Sequence, residues 1–168
     1  METREEVPLG SPGEICCKGP QVTRGYYKKP EETKLVITDG WLRTGDIGIM
    51  DEQGYIKIVD RAKDMLIVGG YKVYSVHVED ILTKHKDIEL VAIIGEKDPD
   101  RPGSEIVKGV VKLKEGVEAT DSVKADILSY AQNHLSKYEV PKLWEYRKEL
   151  PLTPIGKILK RELRNNAN

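Results

Sequence analysis

Residues 55–74 read YIKIVDRAKDMLIVGGYKVY and contain two short β-like runs separated by residues 60–64. The separating residues are mostly charged and include no glycine. A hairpin connection is usually about two to five residues long and built on Asn-Gly or Asp-Gly, so this segment is not typical of a simple hairpin. We expect it to join two separately folded bodies, with Gly69 and Gly70 either allowing another group to approach the backbone or forming an ordinary turn.

The sequence before residues 60–64 differs in pattern from the sequence after them. Before this segment, strand-like runs alternate with turn residues, whereas after it strands and helices alternate, which predicts a small sheet with helices packed on it. The predicted elements are strands at 14–17, 55–59, 65–68, 90–94, 105–113 and 143–146, a helical turn at 31–35, helices beginning near residues 75 and 120, and a last helical segment at 158–163. The expected fold class is α+β, with a β-rich segment at residues 1–60 and a second domain at residues 61–168.

The two helices are predicted from their caps and their apolar faces. Ser75 is the expected N-cap of the first helix, which carries Val78, Ile81 and Leu82 on one face and His85 at its edge. Thr120 or Asp121 is the expected N-cap of the second helix. The side chains expected to point inward from the second helix are Val123, Ile127, Leu128, Ala131 and Leu135.

The composition is typical of a globular protein. The chain has 168 residues, of which 39% are hydrophobic and 33% charged, which is enough for one good core or two small ones. The formal net charge of -1 at pH 7 gives no reason to expect nucleic acid or an anionic membrane as a partner. Basic residues are dense near the end of the chain, where a local phosphate site and a solvated helix face are both open alternatives.

Two features bear on the cellular compartment. Cys16 and Cys17 are adjacent and lack the Cys-x-x-Cys spacing of metal or redox sites, so reduced thiols are expected. The first six residues are acidic where a signal peptide would be basic, and no stretch approaches the roughly 20 apolar residues of a membrane span. We therefore expect a cytoplasmic protein without a transmembrane segment.

Three places carry side chains suited to ligand binding, and each has a plainer structural explanation. Asp46 follows Gly45 and would hold vicinal hydroxyls, although an aspartate beside glycine is usually a turn residue. Arg61 and Lys63 would contact phosphate, although a charged linker is usually solvated. Lys157 is expected at the head of the last helix, where it either neutralises negative charge in a transition state or remains solvated. No set of metal ligands is predicted.

Motifs containing these places are shared with one enzyme family. The motifs, in order, are GEI at residues 13–15, GY at 25–26, GWLRTGD at 40–46, DRAKD at 60–64, VGGYKV at 68–73, LSKYEVP at 135–141 and LPLTPIGKILKR at 150–161. Through them the chain resembles the C-terminal part of the adenylate-forming enzymes, which include acyl-CoA synthetases, peptide-synthetase adenylation domains and insect luciferases. The resemblance covers nearly the whole chain. It implies a small mixed sheet packed with helices, preceded by the β-rich end of a large AMP-binding domain.

The resemblance implies that three residues act in the first half-reaction. Asp46 would hold the ribose hydroxyls of ATP, and Arg61 would contact the nucleotide. Lys157 would be the catalytic lysine, bridging the carboxylate and the α-phosphate while acyl-adenylate and pyrophosphate form. Mg²⁺ is expected as well, because ATP chemistry generally needs its phosphate charge masked.

Three further residues take their expected roles from the same resemblance. Lys63 would be the hinge about which the small domain rotates between half-reactions. Gly70 would line the pantetheine tunnel in the second half-reaction, and Lys72 would meet the phosphates of coenzyme A. Because the small domain rotates, Lys157 and Gly70 would take turns at one active site.

The chain departs from the family pattern in two positions and in one larger respect. Asp60 replaces a glycine of many members, and Lys160 replaces an arginine, whose bidentate geometry a lysine does not reproduce. The family's phosphate loop, adenine-binding motif and acyl pocket do not occur in these residues. We therefore expect a C-terminal fragment of a longer enzyme, which depends on an N-terminal AMP-binding domain and is inactive alone.

The resemblance favours an AMP-forming acyl-CoA synthetase that uses ATP and coenzyme A. A long- or medium-chain fatty acid is the expected substrate, on the ground of family frequency alone. Three alternatives remain open. They are a stand-alone binding module without chemistry of its own, a peptide-synthetase adenylation segment and a luciferase-like enzyme.

Overall fold

A computed structural model describes residues 5–165, and the chain divides into two units, Met1–Lys63 and Asp64–Asn168. Most of the acidic start of the sequence lies outside the described residues. The division falls between Lys63 and Asp64, whereas the sequence analysis placed a domain boundary between residues 60 and 61. Each unit has its own hydrogen-bonded strands, and the two are described separately.

The first unit is organised around one long strand. Its elements are β1 (Pro12–Cys17), α1 (Pro30–Val36), β2 (Ile37–Thr38), β3 (Trp41–Met50) and β4 (Ile56–Arg61). β3 pairs antiparallel with β1 along one edge and with β2 and β4 along the other. The β-rich character predicted for this part of the chain is confirmed, and the GWLRTGD motif at residues 40–46 lies mostly in β3.

β3 begins at a tight turn and packs closely against its neighbours. Asp39 and Gly40 have φ angles of 54° and 80°, as the two-residue Asp-Gly turn of a hairpin requires. A Cβ atom at Gly48 would lie 2.7 Å from Ile56 Cγ2, so the neighbouring side chains leave no room for one there. Among the described residues of this unit, Ile47 is the one hydrophobic residue that is buried. The first unit therefore has only a small core of its own.

The second unit has a mixed sheet covered by helices, as predicted. Its elements are β5 (Leu66–Val68), β6 (Tyr71–Val73), α2 (Ser75–Leu82), β7 (Ile88–Lys97), β8 (Glu105–Leu113), α3 (Asp121–His134), β9 (Leu143–Tyr146) and α4 (Lys160–Asn165). β7 and β8 are antiparallel, and β9 is parallel to β8. β5 does not join this sheet but forms a hairpin with β6, a strand that the sequence analysis did not identify.

Buried side chains lie on both faces of the main sheet, because successive residues of a strand point to opposite sides. On one face, α2 and α3 pack against a cluster that includes Ile93, Val107 and Val111. The cluster on the other face contains Ala92, Ile94, Val110, Leu150 and Leu163. The C-terminal segment that carries Leu150 and Leu163 is thus held on the face opposite α2 and α3.

Two details predicted for α2 are wrong. Tyr74 is the N-cap, and Ser75 is the first helical residue. The Ser75 hydroxyl accepts a hydrogen bond from Lys160 Nζ instead of capping the helix. His85 lies beyond the end of the helix and so is not part of its apolar face, but its side chain is buried.

The other helices also differ in part from the prediction. Thr120 is confirmed as the N-cap of α3, since its hydroxyl accepts a hydrogen bond from the Val123 N–H. Leu128 is exposed, because Ile127 and Ala131 form the buried stripe of this helix. α4 begins later than predicted, since Ile158 is engaged in an antiparallel bridge. None of the helices in residues 5–165 is long and apolar enough to cross a membrane.

Candidate functional site

Asp46 and Arg61 lie opposite one another on β3 and β4. Arg61 Nε donates a hydrogen bond to Asp46 Oδ1 over 3.1 Å. Both groups remain accessible, with 33% of the Asp46 side chain and 54% of the Arg61 side chain exposed. The pair presents carboxylate oxygen and guanidinium N–H groups on one surface, which suits a ligand with hydroxyls and negative charge.

Glu14 on β1 supports the strand that carries Asp46. Its Oε2 accepts hydrogen bonds from Arg43 Nε at 2.8 Å and Nη2 at 2.6 Å, and its Oε1 accepts one from the Gly45 N–H at 3.2 Å. Thr44 Oγ1 accepts from the Asp46 N–H at 3.1 Å and donates to a β1 carbonyl at 2.8 Å. These contacts tie β1 to β3 around Gly45 and so fix the backbone of Asp46.

Lys63 is exposed and lies at the junction of the two units. The preceding residue, Ala62, donates from its N–H to Gly45 O at 2.8 Å, within the first unit. The following residue, Asp64, accepts a hydrogen bond from Arg164 Nη2 at 2.6 Å, within the second unit. The two neighbours of Lys63 are therefore anchored in different units, and its hinge role stays a prediction.

Gly69 and Gly70 form the two-residue turn of the β5–β6 hairpin. Their φ angles are 57° and 88°, and the flanking Val68 and Tyr71 pair across the turn. The Gly69 N–H donates to Ser104 Oγ at 2.9 Å, which holds the turn against the start of β8. A Cβ atom at Gly70 would meet no atom within 4 Å, so the space beside this residue is open.

The same hairpin presents Lys72, whose side chain is exposed. The preceding residue, Tyr71, stacks on Tyr138 with 4.6 Å between ring centroids and 10° between ring planes. This contact joins the hairpin to the LSKYEVP motif at residues 135–141. Gly70 and Lys72 are therefore presented together by one anchored hairpin.

Lys157 lies in a turn rather than at the head of the last helix, which corrects the prediction. The turn is closed by hydrogen bonds from Thr153 N to Lys157 O at 2.7 Å and from Lys157 N to Thr153 Oγ1 at 3.0 Å. Gly156 within it has a φ of 79°, a left-handed conformation that a helix excludes. Lys157 is exposed, and the ion pairs found among residues 5–165 do not involve its ammonium. The turn thus presents this ammonium to solvent.

Comparison with known proteins assigns the family. Residues 77–157 match the family described as AMP-binding enzyme C-terminal domain. The sequence is 48% identical, over 96% of this chain, to a long-chain-fatty-acid–CoA ligase of Bacillus subtilis (strain 168). The chain belongs to the adenylate-forming, AMP-binding enzymes. It is also 42% identical, over 95% of its length, to a feruloyl-CoA synthase of Amycolatopsis sp.

A solved adenylate-forming enzyme supports the same assignment. The structure is similar to that of ATP-bound MatB from Rhodopseudomonas palustris, with a TM-score of 0.87 and 35% sequence identity. The similarity covers 98% of this chain and 32% of MatB. The chain likewise spans 28% of the length of the Bacillus ligase and 32% of the feruloyl-CoA synthase. These three proteins are thus much longer than the chain described here.

One group of potential metal ligands lies outside the AMP-binding motifs. Ligand atoms of His85, Asp87 and Asp126 lie within 4.8 Å of one another. His85 Nδ1 accepts from the Asp87 N–H at 3.2 Å, so the proton of the neutral ring is on Nε2, which faces Asp126 at 3.5 Å. The Lys86 ammonium lies 2.9 Å from the same carboxylate and lowers the pKa of Asp126. The Asp126 carboxylate therefore already has two cationic or hydrogen-bonding neighbours, Lys86 and His85.

The residues that hold the AMP-binding motifs in place could not be recognised from the sequence. Glu14 and Lys160 belong to motifs, but the sequence does not indicate which residues they contact. Glu79 belongs to no motif. Arg43 is 29 residues from Glu14, and Ser75 is 85 residues from Lys160. Contacts at such separations are set by tertiary packing, which no local pattern specifies.

Proposed function

We propose that the chain is the C-terminal part of an ATP-dependent acyl-CoA synthetase acting on a long- or medium-chain fatty acid. The observation that carries this proposal is the 48% identity to a long-chain-fatty-acid–CoA ligase, because it extends over 96% of the chain and so spans both units. The enzyme would form an acyl-adenylate and then an acyl-CoA thioester. ATP, coenzyme A and Mg²⁺ belong to this proposal.

Asp46 and Arg61 would bind the nucleotide. A carboxylate with one oxygen engaged by Arg61 keeps its other oxygen available to accept from ribose hydroxyls. The guanidinium has further N–H groups for a phosphate or a second hydroxyl. Glu14 and Thr44 would keep this surface in place when ligand binds, since they fix the backbone on both sides of Gly45.

Lys157 would act in adenylate formation. A carboxylate oxygen of the fatty acid attacks the α-phosphorus of ATP, and pyrophosphate leaves. The Lys157 ammonium, on an exposed turn, would neutralise the negative charge shared by the carboxylate and the α-phosphate. Mg²⁺ would be held mainly by the phosphates, as ATP-dependent enzymes usually arrange it.

The β5–β6 hairpin would act in thioester formation. The coenzyme A thiol, after losing its proton, attacks the acyl carbonyl, and AMP leaves with the bond electrons. The open space at Gly70 would admit the pantetheine arm without a side chain in its path. The exposed ammonium of Lys72 would meet a coenzyme A phosphate.

The small core of the first unit supports a role for a larger AMP-binding domain. Tyr55, Ile56 and Ile58 are exposed to 76%, 45% and 61%. Such neighbouring apolar side chains on and beside β4 are typical of a surface covered by further chain. The described residues would therefore be inactive alone. A cytoplasmic location is part of the proposal, favoured by the free thiols of Cys16 and Cys17.

The test uses the complete ligase, meaning this chain preceded by its large AMP-binding domain. Fatty-acid-dependent exchange between ATP and pyrophosphate is expected, and it should be lost in Lys157→Ala while thioester formation from preformed acyl-adenylate is largely kept. Lys148→Ala, an exposed lysine on the same unit, is the matched control and should keep both activities. Equal loss of both half-reactions in Lys157→Ala would contradict the role of this lysine.

Substrate choice is tested with the same exchange reaction. The similarity to a feruloyl-CoA synthase favours an aromatic acid as the second candidate substrate. Oleate and ferulate should therefore be compared at matched concentrations. A higher kcat/KM with ferulate would replace the fatty acid in the proposal and leave the adenylate-forming chemistry intact.

A further inference from the structure

We propose that Lys160 is a positioning residue, whose ammonium fixes the turn that presents Lys157. The inference rests on the proposed function, in which Lys157 acts in adenylate formation. Lys160 does not itself reach the reacting groups in this account. It acts through the short chain segment that connects it to Lys157.

The Lys160 ammonium of α4 is held by two side chains of α2. Its Nζ lies 2.7 Å from Glu79 Oε1 and donates a hydrogen bond to Ser75 Oγ at 2.8 Å, and both partners lie on α2. Glu79 Oε1 also accepts the Ile93 N–H of β7 at 2.6 Å. The side chains of Lys160 and Glu79 are only 15% and 17% exposed. One carboxylate therefore connects α4 with α2 and with β7.

Apolar packing alone does not specify where the C-terminal segment sits. Leu150 and Leu163 are buried against the sheet, but hydrophobic contact is non-directional and permits small displacements. A buried ion pair has the opposite property, because displacing one charge leaves the other uncompensated in a poorly solvated site. The Lys160–Glu79 pair thus supplies the positional restraint that Leu150 and Leu163 do not.

The residues that connect Lys160 to the turn are themselves fixed by backbone contacts. Leu159, the residue before Lys160, donates from its N–H to Pro151 O at 2.8 Å. Ile158, the residue before that, forms an antiparallel bridge with Leu152. These two contacts close the base of the turn, so a shift of Lys160 passes directly to Lys157.

A partly buried lysine elsewhere in the same unit offers a matched control. The Lys108 side chain is 13% exposed and pairs with Glu96 on β7 and Glu145 on β9. Its burial and its carboxylate partners resemble those of Lys160, but its ion pairs lie within the sheet. Lys108→Met therefore has a comparable structural cost without a connection to the turn.

The test in the complete ligase compares Lys160→Met, Lys160→Arg and Lys108→Met. Lys160→Met should lower kcat for ATP–pyrophosphate exchange by roughly 10- to 100-fold, the cost of a small misplacement, with the KM for ATP changed less than about twofold. Thioester formation from preformed acyl-adenylate should be kept. Lys160→Arg restores a cation and should recover most of the exchange rate, and Lys108→Met should leave the ratio of the half-reactions unchanged.

A second measurement, on this chain alone, reports on the turn directly. Amide hydrogen exchange should accelerate at residues 152–159 in Lys160→Met and stay unchanged in β7 and β8. The proposal would be overturned if amide hydrogen exchange in Lys160→Met accelerated throughout the second unit, or if this variant lost both half-reactions equally. Either result would mean that Lys160 contributes only to stability. If Lys157→Ala retained ATP–pyrophosphate exchange, the proposed role of Lys157 would be wrong. The amide hydrogen exchange rates would still show whether Lys160 holds the turn in place.

Discussion

Arg61 donates to the Asp46 carboxylate across the β3–β4 pair, with 3.1 Å between Nε and Oδ1. Each side chain therefore orients the other on an accessible surface, and the two should act as one binding element. Because Asp46 and Arg61 contact each other directly, they differ from charged residues that each bind a ligand without contacting one another. It also makes their joint contribution measurable.

Substituting the pair should weaken ATP binding in a coupled manner. In the complete ligase, Asp46→Ala and Arg61→Ala should each lower kcat/KM for ATP by about tenfold or more, because each loses contacts to the nucleotide. The free-energy loss calculated from kcat/KM should be smaller in the double variant than the sum of the two single losses, since the effects of substituting side chains in contact are not additive. Glu52→Ala, an exposed carboxylate of the same unit, is the control. Strictly additive losses would mean that the two residues bind separately.

Gly70 should affect thioester formation more than adenylate formation. Gly70→Ala introduces a methyl group where the proposed pantetheine arm passes, so the second half-reaction should slow by about tenfold or more while ATP–pyrophosphate exchange changes little.

Gly116→Ala is a closely matched control for Gly70→Ala. Gly116 has a φ of 80° and open space at its Cβ position. Gly70→Ala and Gly116→Ala therefore both place alanine in a left-handed conformation, which costs about 1 kcal/mol. Both variants should lower the free energy of unfolding similarly, measured by urea denaturation. A similar loss of thioester formation in Gly116→Ala would assign the Gly70 effect to stability.

The strands of the second unit illustrate what the sequence could predict. The bounds predicted for β8 and β9 agree with the structure, and β8 is a largely apolar run that follows the turn residues at 98–103. β6 was missed, since three residues with two exposed side chains give no periodic signal. The hairpin depends instead on contacts from Ser104 and Glu105, which belong to a distant part of the chain.

The candidate site shows a different limit. Motif order predicts Asp46, Arg61 and Lys157 as site residues, and the conformation expected around Lys157 is wrong. Residues 157–163 have good helix propensity, and the bridge between Leu152 and Ile158 overrides it. Propensity is a local property, whereas this bridge depends on the packing of the whole C-terminal segment.

Acid should weaken the second unit through Glu145. The Arg147 guanidinium, followed by Lys108, lowers the pKa of Glu145 below its ordinary value of about 4.3. A carboxyl group whose folded pKa lies below its unfolded pKa stabilises the fold above the unfolded value, and this stabilisation is lost as pH falls through the folded value. Because a third of the side chain is exposed, the contribution at neutral pH is at most about 1 kcal/mol.

Glu145→Gln measures this contribution. The variant should be less stable than the wild type at neutral pH, and the difference should shrink as the pH falls into the acidic range. Urea unfolding is followed by the fluorescence of Trp144 in a Trp41→Phe background, which reports on the second unit. Glu149→Gln, with a side chain 81% exposed, should change stability little at either pH. A Glu145→Gln difference that does not vary with pH would show that its origin is not ionisation.

Lys63 should act as the hinge because its neighbours are fixed to different units. Ala62 is bonded to Gly45 in the first unit and Asp64 to Arg164 in the second, so a rotation between units must be absorbed largely by the backbone dihedrals of Lys63. Lys63→Pro locks φ near about −65° and restricts the preceding residue as well. In the complete ligase it should slow overall turnover more than either half-reaction measured separately. Lys63→Ala, which leaves φ free, should retain turnover, and wild-type rates in Lys63→Pro would remove the hinge from this position.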